Sequence, residues 1–401
     1  MSDVFAIADI LVAHAVQAHA GEIAIIAYYG SYANGLASPT SDLDIFYIPD
    51  QGQARSLSSQ FVIEGRPYDF WPVSWKLAEG IANATSERPW VMAASLIADA
   101  QVLYQRSPAD LARFQALQAR IAELLQPAGR PILVKQALRE FKQTLFQLGQ
   151  IRLAVATGDV AGTRWASHKF VASAVNALAL VNQRYFVKGW EVRPAQLADL
   201  PQSPDEFEEL ARHILQPASG AQLVAAADQL AQRVRGILLA AQVEIANPDP
   251  VTEVFKDSYF FIFEYKNKVL KACERGNALA AELAAFRLQE ELCQMLNKVE
   301  RGFYGTDFNL LGEYTVAYTA AGFPDLLASA AQGDLVELAQ QVRRLDAFIR
   351  AWLTARAISL GILENEEALR RFLQQRDPVP ESELPEESQV GFSPAVVLPL
   401  K

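Results

Sequence analysis

The chain has 401 residues, 51% of them hydrophobic, and a formal net charge of −10. That length suits two or three domains and gives ample material for buried cores. The acidic balance argues against an extended nucleic-acid grip, which needs clustered Lys and Arg to displace phosphate counterions. It permits a cationic small substrate without requiring one. The only cysteines, Cys273 and Cys293, lie in one helical region, so a disulfide framework is not expected and a reducing compartment is the default. The first twenty residues carry Asp3 and Asp9 and lack a basic start, so no targeting segment is read there. No apolar run reaches the roughly 20 residues of a membrane span, and the expected location is the cytoplasm.

In chain order, residues 3–20 read as an amphipathic helix and Ile23 to Tyr29 as a buried strand. That strand stops at Gly30-Ser31. A loop rich in Gly, Ser, Asn and Pro follows, and a second apolar strand covers 43–48. A hairpin has arms Gln60–Ile63 and Pro67–Val73, turning through Glu64-Gly65-Arg66. Helices are predicted over 75–84 and 90–98, and a short strand over 101–104. A helix over 109–125, started by Ser107-Pro108, closes a first domain at residues 1–127. Through Pro127 there are 13 Asp or Glu and seven Lys or Arg, so this domain presents no basic surface.

Beyond it, strand patterns disappear. Helices are predicted over 131–157, 162–187, 205–216, 219–246, 251–275, 277–300 and 334–360, with shorter ones near 324–331 and 364–375. Residues 128–375 therefore read as a helical bundle, and the Asn247-Pro248-Asp249-Pro250 cluster marks a candidate division within it. Residues 376–401, rich in Pro and acidic side chains, are expected to be a mostly disordered tail.

The chemistry concentrates at the first loop. A glycine at a strand end lets the backbone approach a ligand closely. Ser31 offers a hydroxyl and an N–H to phosphate oxygens. Asp42 and Asp44 are two residues apart, so on a strand they share a face. Such a pair is retained where solvent bathes it or a cation lies between. Mg²⁺ takes one or two carboxylates together with substrate phosphates, which Gly30 and Ser31 would hold beside the pair. A third carboxylate, Asp69, sits in the aromatic run Tyr68-Asp69-Phe70-Trp71, where an unpaired charge is costly. It is the candidate to complete a metal site or to act as general base in a two-metal displacement.

Gly30-Ser31, ten intervening residues, then Asp42-Leu43-Asp44-Ile45 resembles the signature of the DNA polymerase β-like nucleotidyltransferase superfamily, with Asp69 in the place of its third acidic residue. The resemblance covers roughly residues 20–105. It implies an α+β fold: a small mixed sheet with flanking helices, followed here by an all-α bundle. It also implies Mg²⁺, two ions with this carboxylate set, and transfer of a nucleoside monophosphate from ATP or another nucleoside triphosphate with release of pyrophosphate. A catalytic domain followed by helices is similar to the aminoglycoside and lincosamide nucleotidyltransferases, which implies a hydroxyl on a small molecule as acceptor. Two alternatives share the same residues: adenylylation of a partner protein by an antitoxin or regulator, and nucleotide binding without catalysis.

The helical region offers candidates without a motif. In Trp165-Ala166-Ser167-His168-Lys169, Lys169 is the candidate for triphosphate oxygens. Asn182 to Trp190, with its aromatics and bases, is a candidate pocket lining. Glu264 and Lys266 are candidate base and phosphate contact. Arg301 to Asp307 is a turn with no assigned role.

Overall fold

The computed structural model describes residues 4–19, 21–38, 41–50, 57–86, 88–187, 189, 195–302 and 315–374. The predicted tail and most of the 301–307 turn lie outside them. The chain forms two units, Met1–Ala246 and Asn247–Lys401.

The first unit begins with α1 (Val4–His19), β1 (Ile23–Tyr29), β2 (Leu43–Pro49), β3 (Ser59–Ile63) and β4 (Arg66–Pro72). α2 (Trp75–Ala82), α3 (Trp90–Ala93), α4 (Ser95–Ala98), β5 (Gln101–Gln105) and α5 (Pro108–Leu124) follow. The sheet order is β3-β4-β2-β1-β5. Only β2 and β4 run parallel, so the sheet is mixed, as the α+β reading required.

Alternation assigns its two faces. Leu43, Ile45 and Tyr47 of β2 and Tyr68 and Phe70 of β4 point one way and pack on Val4, Ala8 and Ala15 of α1. A register shift between Ile23 and Ile25 lets Ile23 and Ile26 of β1 join the same core. Each fully buried aliphatic side chain there contributes about 1.5–3 kcal/mol. The opposite face carries Asp44 and Phe46 from β2 and Asp69 and Trp71 from β4. α5 covers its Phe46 end, with the Phe46 and Phe114 rings 6.1 Å apart.

The unit continues with α6 (Arg130–Thr157), α7 (Val160–Val181), α8 (Ala195–Ala198), α9 (Phe207–Leu215) and α10 (Gly220–Glu244). α6 and α7 form an antiparallel pair turned at Gly158, whose φ of +69° suits a residue without a Cβ. α7 stops at Val181, six residues short of its predicted end. Asn182 turns its own amide onto Leu178 O at 2.7 Å, and Gln183 then takes φ +52°, which ends the helical ladder. Ser107 starts α5 as predicted, its hydroxyl accepting from the Asp110 N–H at 3.1 Å.

The second unit holds α11 (Val251–Val254), α12 (Tyr259–Glu274), α13 (Ala278–Arg301), α14 (Thr315–Ala320), α15 (Leu326–Ala331), α16 (Leu335–Thr354) and α17 (Glu366–Gln374). The helix predicted over 251–275 is broken where Asp257 adopts φ +57°. Phe255, Ile262, Leu288, Leu292, Leu345 and Ile349 lie in this unit's core. No helix among the described residues is long and apolar enough to cross a membrane.

Candidate active site

The pairing of β2 with β4 builds the site. Its register sets Asp44 opposite Asp69, so both carboxylates leave the same face of neighbouring strands. Asp42, two residues before Asp44, shares that face at the mouth of β2. The β1–β2 register sets Tyr29 opposite Asp44, and Gly30 follows at once. Gly30 has φ +75°, and a Cβ there would come within 2.8 Å of Asp44 Oδ2. Its lack of a side chain is thus needed twice, for the backbone conformation and for the carboxylate beside it.

The loop beyond Gly30 is tied back on itself. Asn34 donates from its backbone N–H at 3.2 Å and from Nδ2 at 2.9 Å to Gly30 O, and Leu36 N–H donates to Ser31 O at 2.9 Å. Ser31 is 8% exposed, and its Oγ is buried with no hydrogen-bond partner among the described residues. A buried hydroxyl left this way costs stability unless a ligand supplies the bond.

The carboxylates act on one another. Asp44 is half-buried and its carboxyl is pushed up to about 6, first by burial and then by the charges of Asp42 and Asp69. The Tyr29 hydroxyl is pushed well above its usual range, by burial first and by Asp44 next. Asp69 also accepts from Gln60 Nε2 at 3.3 Å. Asp42, Asp69 and Gln60 line a cavity of about 280 Å³. Among the described residues, no three or more His, Cys, Asp or Glu side chains converge as a ready-made metal site. The donor set still fits Mg²⁺, which commonly takes one or two carboxylates and completes its shell with substrate phosphates and water. A cation would relieve the crowded like charges, and a phosphate oxygen would partner the buried Ser31 hydroxyl.

The helical candidates have contacts of their own. Lys169 is exposed on α7, its Nζ 5.4 Å from the centre of the Trp165 ring. Among the described residues, no contact joins it to the carboxylates. In the second unit, Glu264 pairs with Lys268 at 2.8 Å and Lys266 with Asp346 at 3.4 Å. Tyr185, from the predicted pocket-lining segment, donates to Asp99 Oδ1 at 2.8 Å. Asp99 follows α4. Its carboxyl is raised by burial, and the Asn34 side chain faces it as well. The loop that starts at Gly30 is thereby linked through Asn34 and Asp99 to the end of α7. Sequence reasoning missed this link: Asp99 and Tyr185 are 86 residues apart, and neither sits in a motif.

Residues 12–91 match the family model described as Nucleotidyltransferase domain. Residues 112–243 match the model described as KNTase C-terminal domain. A solved nucleotidyltransferase-like protein from Exiguobacterium sibiricum 255-15 is 12% identical, with a TM-score of 0.32. The similarity covers 61% of this chain and 82% of that one. No curated protein matches the chain.

Proposed function

We propose, for a chain that belongs to the nucleotidyltransferases by its N-terminal domain and carries a KNTase C-terminal domain behind it, that it moves a nucleoside monophosphate, AMP from ATP, onto a hydroxyl of a small molecule. The acceptor oxygen forms a bond to the α-phosphorus, the bond to the bridging oxygen breaks, and pyrophosphate leaves. The observation that carries this reading is the register of Asp44 with Asp69 beside a glycine that cannot bear a Cβ. Gly30 and the unpartnered Ser31 hydroxyl hold phosphate oxygens. Asp42 and Asp44 bind divalent cation, and Asp69 completes that set or takes the acceptor's proton. Mg²⁺, two ions in this reading, would lower the acceptor's pKa and stabilise the charge on the leaving pyrophosphate. An aminoglycoside-like acceptor agrees with the kanamycin nucleotidyltransferase-like C-terminal domain and with the chain's acidic balance. A cytoplasmic location agrees with both ATP and reduced cysteines.

The test is pyrophosphate release with ATP, GTP, CTP and UTP against pooled acceptors, aminoglycosides and lincosamides included. Asp42→Ala and Asp44→Ala should each abolish transfer of label from ATP while leaving the circular dichroism spectrum unchanged. Wild-type transfer by either variant rules the assignment out. Label on a protein band rather than a small molecule would point to adenylylation of a partner protein by the same residues. Lys169→Ala decides the case for that residue: weakened ATP binding retains it as a phosphate contact, and unchanged binding removes it.

A further inference from the structure

A second cavity of the first unit has none of the three carboxylates in its lining. It encloses about 550 Å³ where the end of α6, the start of α7, the end of α9 and the start of α10 meet. Such a volume falls in the range of small-molecule sites. Gln136 of α6 donates to Ala84 O, near the end of α2. Ala154, which lines the cavity, is a further 18 residues along α6, about 27 Å at 1.5 Å per residue. The cavity's lining shares no residue with the cavity at Asp42 and Asp69.

Its walls are of two kinds. Ala154, Val155, Val160, Ile214, Leu215 and Leu223 supply an apolar lining. Gly220 closes one side so tightly that a Cβ on it would meet Val155 Cγ1 at 2.7 Å. Against these stand Thr163, Arg164, Ser167 and His168, all from the first turns of α7. Ser167 is 2% exposed, lines the cavity, and its Oγ is buried with no hydrogen-bond partner among the described residues. Arg164 and His168 are exposed, and neither takes part in an ion pair among the described residues. Among the described residues, no acidic side chain lines the space. The nearby Asp159 is occupied as the N-cap of α7, accepting from the Gly162 N–H at 2.9 Å.

We infer that this cavity is a second ligand site, for a small organic anion with an apolar body. The unpaired guanidinium takes the anionic head as a planar donor. The orphaned Ser167 hydroxyl gives that head the bond it otherwise lacks. The apolar walls of α6, α9 and α10 take the body of the molecule. A helix N-terminus adds its own positive potential at the same end.

The probe for this site is 8-anilinonaphthalene-1-sulfonate, titrated into the full chain by calorimetry and fluorescence. One saturable site per chain is expected. Arg164→Glu should weaken binding at least tenfold and His168→Ala measurably. Both residues are exposed, so the variants should keep the wild-type circular dichroism spectrum. Asp42→Asn should bind the dye as wild type does, which separates this site from nucleotide transfer. Decanoate and decyl phosphate should displace the dye, the stronger competitor naming the head group, while decanol should not. Equal affinity in Arg164→Glu, displacement by decanol as effective as by decanoate, or no saturable binding would each overturn the inference.

Discussion

Replacing Gly30 with Ala perturbs the site in two separable ways. At φ +75° an alanine carries the left-handed penalty of about 1–2 kcal/mol. That part is a property of the backbone and should appear as lost stability. The second part is steric. The new Cβ would stand 2.8 Å from Asp44 Oδ2, closer than Cβ atoms come to any neighbour, so the carboxylate must swing aside. A displacement on the order of 1 Å in a positioned group can cost about 100-fold in rate. Gly158→Ala supplies the control. It has φ +69° and no heavy atom within 4 Å of its would-be Cβ, so it carries the backbone cost alone. Urea unfolding should place the two variants within about 1 kcal/mol of each other. Pyrophosphate release should fall by roughly two orders of magnitude in Gly30→Ala only. If Gly30→Ala transfers at the wild-type rate with the expected loss of stability, Asp44 is not where the chemistry happens.

Other outcomes follow from the same contacts. Asp44→Asn removes one of three crowded charges, so it should stabilise the metal-free chain by up to about 1 kcal/mol while transfer is lost; thermal melts and the release assay read the two effects separately. Tyr185→Phe leaves Asp99 without its 2.8 Å donor. It should cost about 1–2 kcal/mol in urea, and much less when Asp99→Asn is already present. Asp110 is held below the usual carboxylate range by the Arg106 guanidinium and then by the Ser107 hydroxyl. Its contribution is present above the unfolded carboxylate's pKa and disappears as pH falls through the lower folded value. Asp110→Asn should therefore cost about 1 kcal/mol at pH 7. The gap to wild type should close as pH falls through that lowered folded value. A gap that persists unchanged in acid would show that the Arg106–Asp110 contact, 3.0 Å long, is not the source.

The sheet was legible because each of its strands carries its own signal. The apolar run of β1 ends at a glycine, the two aspartates open β2, and a Glu-Gly turn separates β3 from β4. Parity then fixed which faces Asp44 and Asp69 occupy, though not that their strands are neighbours. That came from the hairpin folding back so that β4 lies beside β2, a tertiary event with no local marker. The helix ends were less legible where side chains compete with the backbone. Asn182 and Asp257 both interrupt patterns that hydrophobic periodicity alone would continue. The link from Asn34 through Asp99 to Tyr185 has no sequence signal at all, because its members are ordinary residues joined only by the fold.

The position of β3 at the edge of the sheet has a consequence for variation. Among the described residues β3 pairs only with β4, and its partner's other side is locked to β2 through Leu43–Tyr68 and Asp44–Asp69. An insertion at the Glu64-Gly65 turn would slide β3 along β4 and disturb the Gln60–Asp69 contact, but leave the two aspartates in register. A slip of β4 itself would send Asp69 into the apolar layer against α1 and bring Tyr68 and Phe70 out to water. The core thus acts as a proofreader for the carboxylates: a chain that mispairs these strands loses its buried aromatics and its chemistry together, so few folded molecules carry a faulty site.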